Sequence, residues 1–268
     1  MRAVIDLGAG DLILAAALVL VAGAVSLALK LGLERRLLVA SLRSVLQLLL
    51  LGYLLRYIFA LDSAWAVGAL ALLMVSVAAH AALGRVSRRY RGLVTAAFLS
   101  LVLSSILTTL VVTRVVIGVE PWFRPQYFVP ILGMILGNSM NGISLCLDDL
   151  LERLAERRDE VEMRLVHGAT SWEAARDALA GAVRRGMIPI LNAMTIVGLV
   201  SLPGMMTGQI LAGADPLVAV KYQILVMFML AAATALGSML AALMVYRSLF
   251  TARQQLRHEA IERPRRRN

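Results

Sequence analysis

Cysteine occurs once in the 268 residues, at Cys146, and histidine three times, at His80, His167 and His258. A lone thiol closes no disulfide within the chain, and histidines so scattered give no zinc-ligand spacing. Lysine is nearly as scarce, with only Lys30 and Lys221, in Leu-Lys-Leu and Val-Lys-Tyr settings. A phosphate-binding P-loop needs a Gly-Lys-Ser/Thr run whose lysine reaches the nucleotide phosphates, so this chain does not hydrolyse ATP by that mechanism. No nucleophile–base pair and no metal cluster stands out. The chain is therefore read as a non-enzyme with no catalytic residue, no metal site and no cofactor of its own. The short segments of alternating polarity that mark a transmembrane barrel are missing too, as is any internal repeat of fixed period.

What the sequence has in excess is apolar character. Hydrophobic residues make up 60% of it, against roughly 45 to 50% in a soluble domain. Seven segments are long enough for a hydrocarbon core that takes about 20 helical residues to cross. They lie near 12–33, 40–59, 64–83, 93–117, 127–147, 188–212 and 218–246. The expected fold is all-α, a polytopic membrane protein of seven helices. Ala22-Gly23-Ala24 resembles a signal-peptide cleavage site. Arg2 is offset by Asp6 and Asp11, and the apolar run continues to Leu29, so the segment is read as a retained helix.

Net charge is +10, and 25 of the 27 basic residues are arginine. A nucleic-acid partner is the first thought for such a balance, but the distribution argues for the lipid bilayer instead. The segments following the first, third, fifth and seventh spans hold 22 basic residues, and the rest of the chain holds 5. The positive-inside rule reads this as an N-out, C-in protein and predicts no nucleic-acid partner. The tail Arg263-Pro-Arg-Arg-Arg-Asn268 is expected to be solvated.

Four parts follow: residues 1–147 with helices one to five, a connection at 148–187, residues 188–250 with helices six and seven, and a tail at 251–268, together one domain. The connection carries seven arginines and nine acidic residues, too balanced for a basic anchor. Leu147, Leu151, Leu154, Val161 and Leu165 recur on one helical face, with Asp149–Arg153 and Glu160–Arg164 as i,i+4 pairs in the favourable order. Gly168 suits a left-handed helix stop, and Thr170-Ser-Trp-Glu173 fits a capping box. Trp172, Ala175, Leu179 and Val183 then line a second helix. Either a hairpin packed on its own protein or a docking element for a cytosolic partner fits this pattern.

Within the spans, Asn138 and Asn141 stand at i,i+3 on one face, continued by Ser144 and Asp148 towards the connection. Gly133 and Gly137 give a small-x-x-x-small surface that lets helices approach. A substrate-lining stripe and an amide-bonded helix contact are both open. Ser100, Ser104 and Thr108 share a face of the fourth span and are read as packing groups bonded to their own backbone. Pro203-Gly204 predicts a break in the sixth span, a hinge or gate followed by Met205, Met206 and Gln209 as further pathway candidates, because broken helices often surround transport sites.

Gly137-Asn-Ser-Met-Asn-Gly142, the hairpin with its Gly-Ala-Thr turn, and Ser201-Leu-Pro-Gly-Met-Met-Thr-Gly-Gln-Ile-Leu-Ala-Gly-Ala-Asp-Pro216 together resemble the FetB/YbbM-like (UPF0014) permeases. These are membrane subunits of ATP-binding cassette transporters linked to iron export in bacteria, with plant relatives linked to aluminium tolerance. The resemblance extends from the Arg43-x-x-x-Gln47 region to Tyr246. It implies a permease of the bacterial cytoplasmic (inner) membrane, exporting iron or a related metal. ATP and Mg would be held by a separate cytosolic ATPase subunit. The hairpin also looks like the coupling loop of cassette permeases, which makes Leu165, Gly168, Ala169, Thr170, Ser171, Trp172 and Glu173 the expected ATPase contact. Seven spans are few for a complete alternating-access path, so a permease homodimer is expected. The competing reading is a gradient-driven secondary transporter or channel for a metal or small solute.

Overall fold

A computed structural model describes residues 8–60, 63–251 and 253–262. These form nine α-helices, one π-helical turn and one 3-10 turn, with no strand among the described residues. Two compact units are formed, one from residues up to 62 with 208–214, the other from 63–207 with 215–268.

In the first unit, α1 (Ala9–Ala28) and α2 (Glu34–Ala60) are joined by a tight turn. Lys30 and Gly32 take positive φ there, at 53° and 67°. Buried Ser26 holds the turn: its hydroxyl donates to Glu34 Oε2 at 2.9 Å and accepts from the Leu33 amide at 3.0 Å. Beyond this polar knot the leucines of both helices are exposed, among them Leu14, Leu18, Leu42 and Leu50.

The second unit holds α3 (Ala64–Leu83), α4 (Leu93–Leu110) with its π-helical extension Val111–Val116, α5 (Pro125–Glu156), α6 (Arg158–Val166), α7 (Ser171–Ile196) and α9 (Pro216–Leu249). The short α8 (Gly204–Leu211) is divided between the two units. Proline opens α5 and α9, where its missing amide is one the helix leaves unbonded anyway. Asp215 caps α9 by accepting from the amides of Leu217 and Val218 at 2.8 and 3.2 Å.

Helix α5 is the centre of this unit, packed by α3, α4, α7 and α9. Its close crossings use glycine. A Cβ on Gly142 would lie 2.4 Å from Thr234 Cγ2 of α9 and 2.9 Å from the Gly186 carbonyl of α7. One on Gly186 would meet the Gly142 carbonyl at 2.6 Å, and one on Gly237 would meet Ile143 Cδ1 at 2.8 Å. Three helix backbones thus approach as only small residues allow. Gly133 and Gly137 do not take part in these crossings within the chain: a Cβ on Gly137, which is exposed, would meet nothing within 4 Å, and one on Gly133 would meet Met74 at 3.5 Å. Ser100, Ser104 and Thr108 are buried on α4, with the Ser100 and Ser104 hydroxyls donating to backbone carbonyls of their own helix at 3.0 and 2.7 Å.

Among the described residues six helices are long and apolar enough to cross a membrane: α1, α2, α3, α4 with its extension, α5 and α9. The segment expected as a sixth span, 188–212, is not one helix. Helix α7 passes through Pro189 and ends at Ile196, and α8 begins only at Gly204. Between them Gly198 turns the chain at φ 83°, and the Gly198 amide donates to the Ser201 carbonyl at 2.9 Å.

After α9 the chain packs back on the second unit as far as residue 262. Phe250, Leu256 and Ile261 are buried in the core of the second unit, and the Glu262 amide donates to the Arg89 carbonyl at 2.8 Å. Residues 263–268, expected to be solvated, lie outside the described residues.

Candidate functional site

The apolar face running from Leu147 through Leu154 to Val161 is buried, as its spacing requires. The chain does not begin a new helix at residue 148, however. Helix α5 continues from Pro125 to Glu156 without interruption, and only Arg157, at φ −101° and ψ 29°, breaks it before α6. The first arm of the hairpin is thus the end of a span plus a short helix.

The turn is defined by backbone bonds. Gly168 sits at φ 91°, its amide donating to the Leu165 carbonyl, and the Ala169 amide donates to the Arg164 carbonyl, both at 3.1 Å. This pair is the Schellman pattern that a left-handed residue makes possible. Thr170 then caps α7: its Oγ1 accepts from the Glu173 amide at 3.2 Å, and Glu173 Oε2 accepts from the Thr170 amide at 2.8 Å. The backbone amide and hydroxyl of Thr170, both donating to the Glu173 carboxylate, hold its pKa below the ordinary glutamate value. Arg164 joins the arms by pairing with Glu160 and Asp177, each at 2.8 Å, and lowers the Asp177 pKa through that contact.

Gly168, Thr170, Trp172 and Glu173 are exposed, Leu165 and Ala169 are half-buried and Ser171 is buried. Trp172 therefore sits at the rim of the α7 stripe, whose buried members are Ala174, Ala175, Leu179 and Ala182. Tyr246 supports the turn from beneath, edge-on to Trp172 at 5.5 Å and bonded to the Ser171 hydroxyl at 2.8 Å. Gln254 Oε1 accepts from the Ser171 amide at 2.5 Å, so the tail takes up one of the amides that opens the helix. Both supports lie about 80 residues away in sequence, at separations of 75 and 83, and no local signal announces them. The result is an exposed, capped turn of mixed polar and apolar character.

The polar stripe on α5 is divided. The Asn138 amide donates to the Met134 carbonyl of its own helix at 3.0 Å. Asn141, Ser144 and Asp148 instead converge on an open cleft of about 340 Å³, completed by Arg85, Leu145 and Pro189. Arg85 Nη1 donates to Asn141 Oδ1, and the Ser87 amide donates to Asp148 Oδ1 at 2.7 Å. The segment linking α3 and α4 is therefore latched on the end of the α5 stripe. Arg85 is the site residue that sequence reasoning missed. It stood among four arginines read only as topological charge, and nothing in its neighbours names Asn141.

Of the α8 candidates, Met205 packs against the apolar cluster built around Ile135 and Met229, and Met206 is half-buried. Gln209 is half-buried with its Oε1 sealed from solvent and unbonded among the described residues. Pro203 precedes α8 and Gly204 begins it, at the end of the helical break. The structure does not bring these residues to the α5 cleft, and no group of three or more His, Cys, Asp or Glu placed to hold a metal ion occurs among the described residues.

Residues 9–250 match the profile of a family described as an uncharacterised protein family, UPF0014. A UPF0014 membrane protein of Synechocystis, slr1647, is 41% identical over 226 residues, covering 84% of this chain and 87% of the relative. The probable iron export permease protein FetB of Escherichia coli is 36% identical over 246 residues, 92% of this chain and 93% of its own. The Arabidopsis thaliana protein ALUMINUM SENSITIVE 3 is 37% identical over 245 residues, 90% and 88% respectively. No solved structure matches the chain.

Proposed function

The chain belongs to the UPF0014 family of multi-pass membrane proteins, and from that premise we propose that it is the permease subunit of an ATP-binding cassette exporter. The observation that carries this reading is the hairpin. Its turn is exposed, capped and braced, and it is joined to α5 through the short α6 and leads straight into α7. An ATPase that grips the turn pulls on the helix carrying the polar cleft. The Schellman turn, the cap and the Arg164–Asp177 bridge make the knob stiff enough to transmit that displacement.

In this reading a separate cytosolic ATPase subunit supplies ATP and Mg, and contacts Leu165, Gly168, Ala169, Thr170, Ser171, Trp172 and Glu173. The broken α7–α8 segment acts as a seventh span, which places the N-terminus outside and the hairpin and C-terminus inside a bacterial cytoplasmic membrane, as the positive-inside rule requires. Two copies of the permease form the transport unit. The substrate is iron or a related metal, as the printed name of the E. coli relative supports.

The α5 cleft is the inner mouth of the path. Asn141, Ser144 and Asp148 offer oxygen donors of the kind hard cations take. Arg85 occupies the same cleft and bonds Asn141, so its guanidinium repels a cation until the α3–α4 segment moves. Asn138 is a helix-bonded neighbour of that path, and Pro203 with Gly204, Met205, Met206 and Gln209 forms a second gate.

Replacing Ala169 and Thr170 with aspartate tests the coupling role. Co-purification of the ATPase falls at least tenfold while the melting temperature of the permease alone changes little. Undiminished co-purification with intact transport removes the hairpin from the interface. In the cleft, Asn141→Leu lowers transport without weakening assembly; loss of assembly instead would make this residue a packing contact.

A further inference from the structure

The hairpin's outer groove carries a feature that coupling to an ATPase does not use. Between α5 and α7 lies an open groove of about 450 Å³, lined by Arg153, Asp177, Gly181, Arg184, Arg185 and Ile188 among others. The Arg153 guanidinium crosses from α5 to lie against α7, so that a Cβ on Gly181 would stand 3.1 Å from its Cζ. Gly181 thus leaves the room that this arginine occupies.

The charges in the groove do not balance. Asp149, almost fully buried, pairs with Arg153 at 2.5 Å and with Arg185 at 3.6 Å, one carboxylate for two guanidiniums. Asp177 is engaged by Arg164 at 2.8 Å. Arg184 is exposed and makes no ion pair among the described residues. Asp177 shares Arg164 with Glu160, so what the groove keeps is a local excess of guanidinium at Arg184 and Arg185, adjacent on α7 and with forks suited to phosphate oxygens.

The level of the groove points to the source of the phosphate. Arg184 and Arg185 are the last charged residues before an uncharged run from 186 to 214. On α5, 125–147 is likewise uncharged and Asp148 is the first charge after it. Ile188 and Leu191, a turn or two further along α7, are each 50% exposed. Guanidiniums directly above an exposed apolar face match a molecule with an anionic head and a hydrocarbon tail, and the boundary between bilayer core and headgroups falls at this height.

We infer that the Arg153–Arg184–Arg185 groove is a binding site for the phosphodiester headgroup of an anionic phospholipid, whose acyl chain lies along Ile188 and Leu191. The site is independent of the substrate and of the ATPase.

The test uses the full-length protein in a zwitterionic detergent, with phosphatidylglycerol, phosphatidylcholine or inorganic phosphate added, and native mass spectrometry to count retained lipid. The wild type retains phosphatidylglycerol over phosphatidylcholine, and R184A/R185A lowers that retention at least tenfold. R176A, which removes an exposed arginine of the same helix outside the groove, leaves it unchanged. Because Arg185 also pairs with Asp149, R184A alone serves where the double variant melts early, and lowers retention at least threefold. Wild-type retention in R184A and R184A/R185A overturns the site. Displacement of phosphatidylglycerol by equimolar inorganic phosphate overturns the lipid assignment in favour of a free phosphate.

Discussion

Helices α2 and α5 are both long, at 27 and 32 residues, and both are apolar enough to cross a bilayer. Yet the most apolar stretch of α2 buries none of its residues within the chain, while that of α5 buries 56%. Greasiness does not separate them. What separates them is where small residues stand. Apolar side chains gain nothing by leaving lipid for another apolar surface, so helices in a bilayer associate where backbones can come close. Gly142, Gly186 and Gly237 are such places in the second unit, each with a neighbour under 3 Å from a notional Cβ. The glycines of α1 and α2 from Gly10 to Gly52 have nothing within 4 Å. The second unit is packed by its own residues, whereas the first leaves most of its leucines exposed.

Substitutions sharpen this contrast. The largest effect is expected for Gly142→Leu, which drives a side chain into Thr234 and the Gly186 backbone. Overpacking of this kind costs about 3 kcal/mol or more when backbone cannot yield, and the protein loses its monodisperse peak on size exclusion in detergent. Gly52→Leu in α2 keeps that peak, and a collapse there equal to that of Gly142→Leu would break the comparison. Next comes Leu256→Ala, which opens the core beneath the tail and lowers stability by about 2 kcal/mol. Leu18→Ala in α1, at a side chain 74% exposed, stays within about 0.5 kcal/mol, as surface changes do.

The effect at the cap falls between those of Leu256→Ala and Leu18→Ala. Thr170→Ala costs about 1 kcal/mol of helix stability, read as a lower denaturant midpoint for the hairpin by hydrogen exchange. The cap also depends on pH. Folding lowers the Glu173 pKa, so its contribution is fully present above the unfolded glutamate value and is lost as pH falls through the folded one. Hydrogen exchange at the Thr170 and Glu173 amides rises in that acid window and not near neutrality, and Glu173→Gln removes the acid dependence.

Much of the architecture is legible in local patterns. The spans follow from apolar runs, the turn from Gly168, the helix start from the Thr170–Glu173 spacing, and the buried face from the leucine stripe. These signals act over four or five residues, which is the range at which a sequence can be read without partners. Where the partner is distant the reading fails. Gly142 and Gly133 look alike in sequence, but they lie on different faces of α5, and only tertiary packing tells which face meets α7 and α9. Arg85 finds Asn141 across 56 residues, and Gln254 finds Ser171 across 83. Leu256 and Ile261, spaced for neither helix nor strand, carry no local signal of their burial against the second unit. At the other end of the hairpin, the helical pairs on both sides of Arg157 suit one continuous helix, and the break there reflects packing rather than propensity.

The central claim is that the Gly168–Glu173 knob transmits force from an ATPase to the α5 cleft. Its most direct test is ATP turnover and ion movement in vesicles holding the permease with its ATPase, comparing the wild type with Ala169→Asp/Thr170→Asp across iron and other metals. The account predicts that at least one metal stimulates wild-type turnover and moves only with ATP, and that the double variant loses both at least tenfold. Metal movement that persists without the ATPase, or turnover that no metal stimulates, would contradict it.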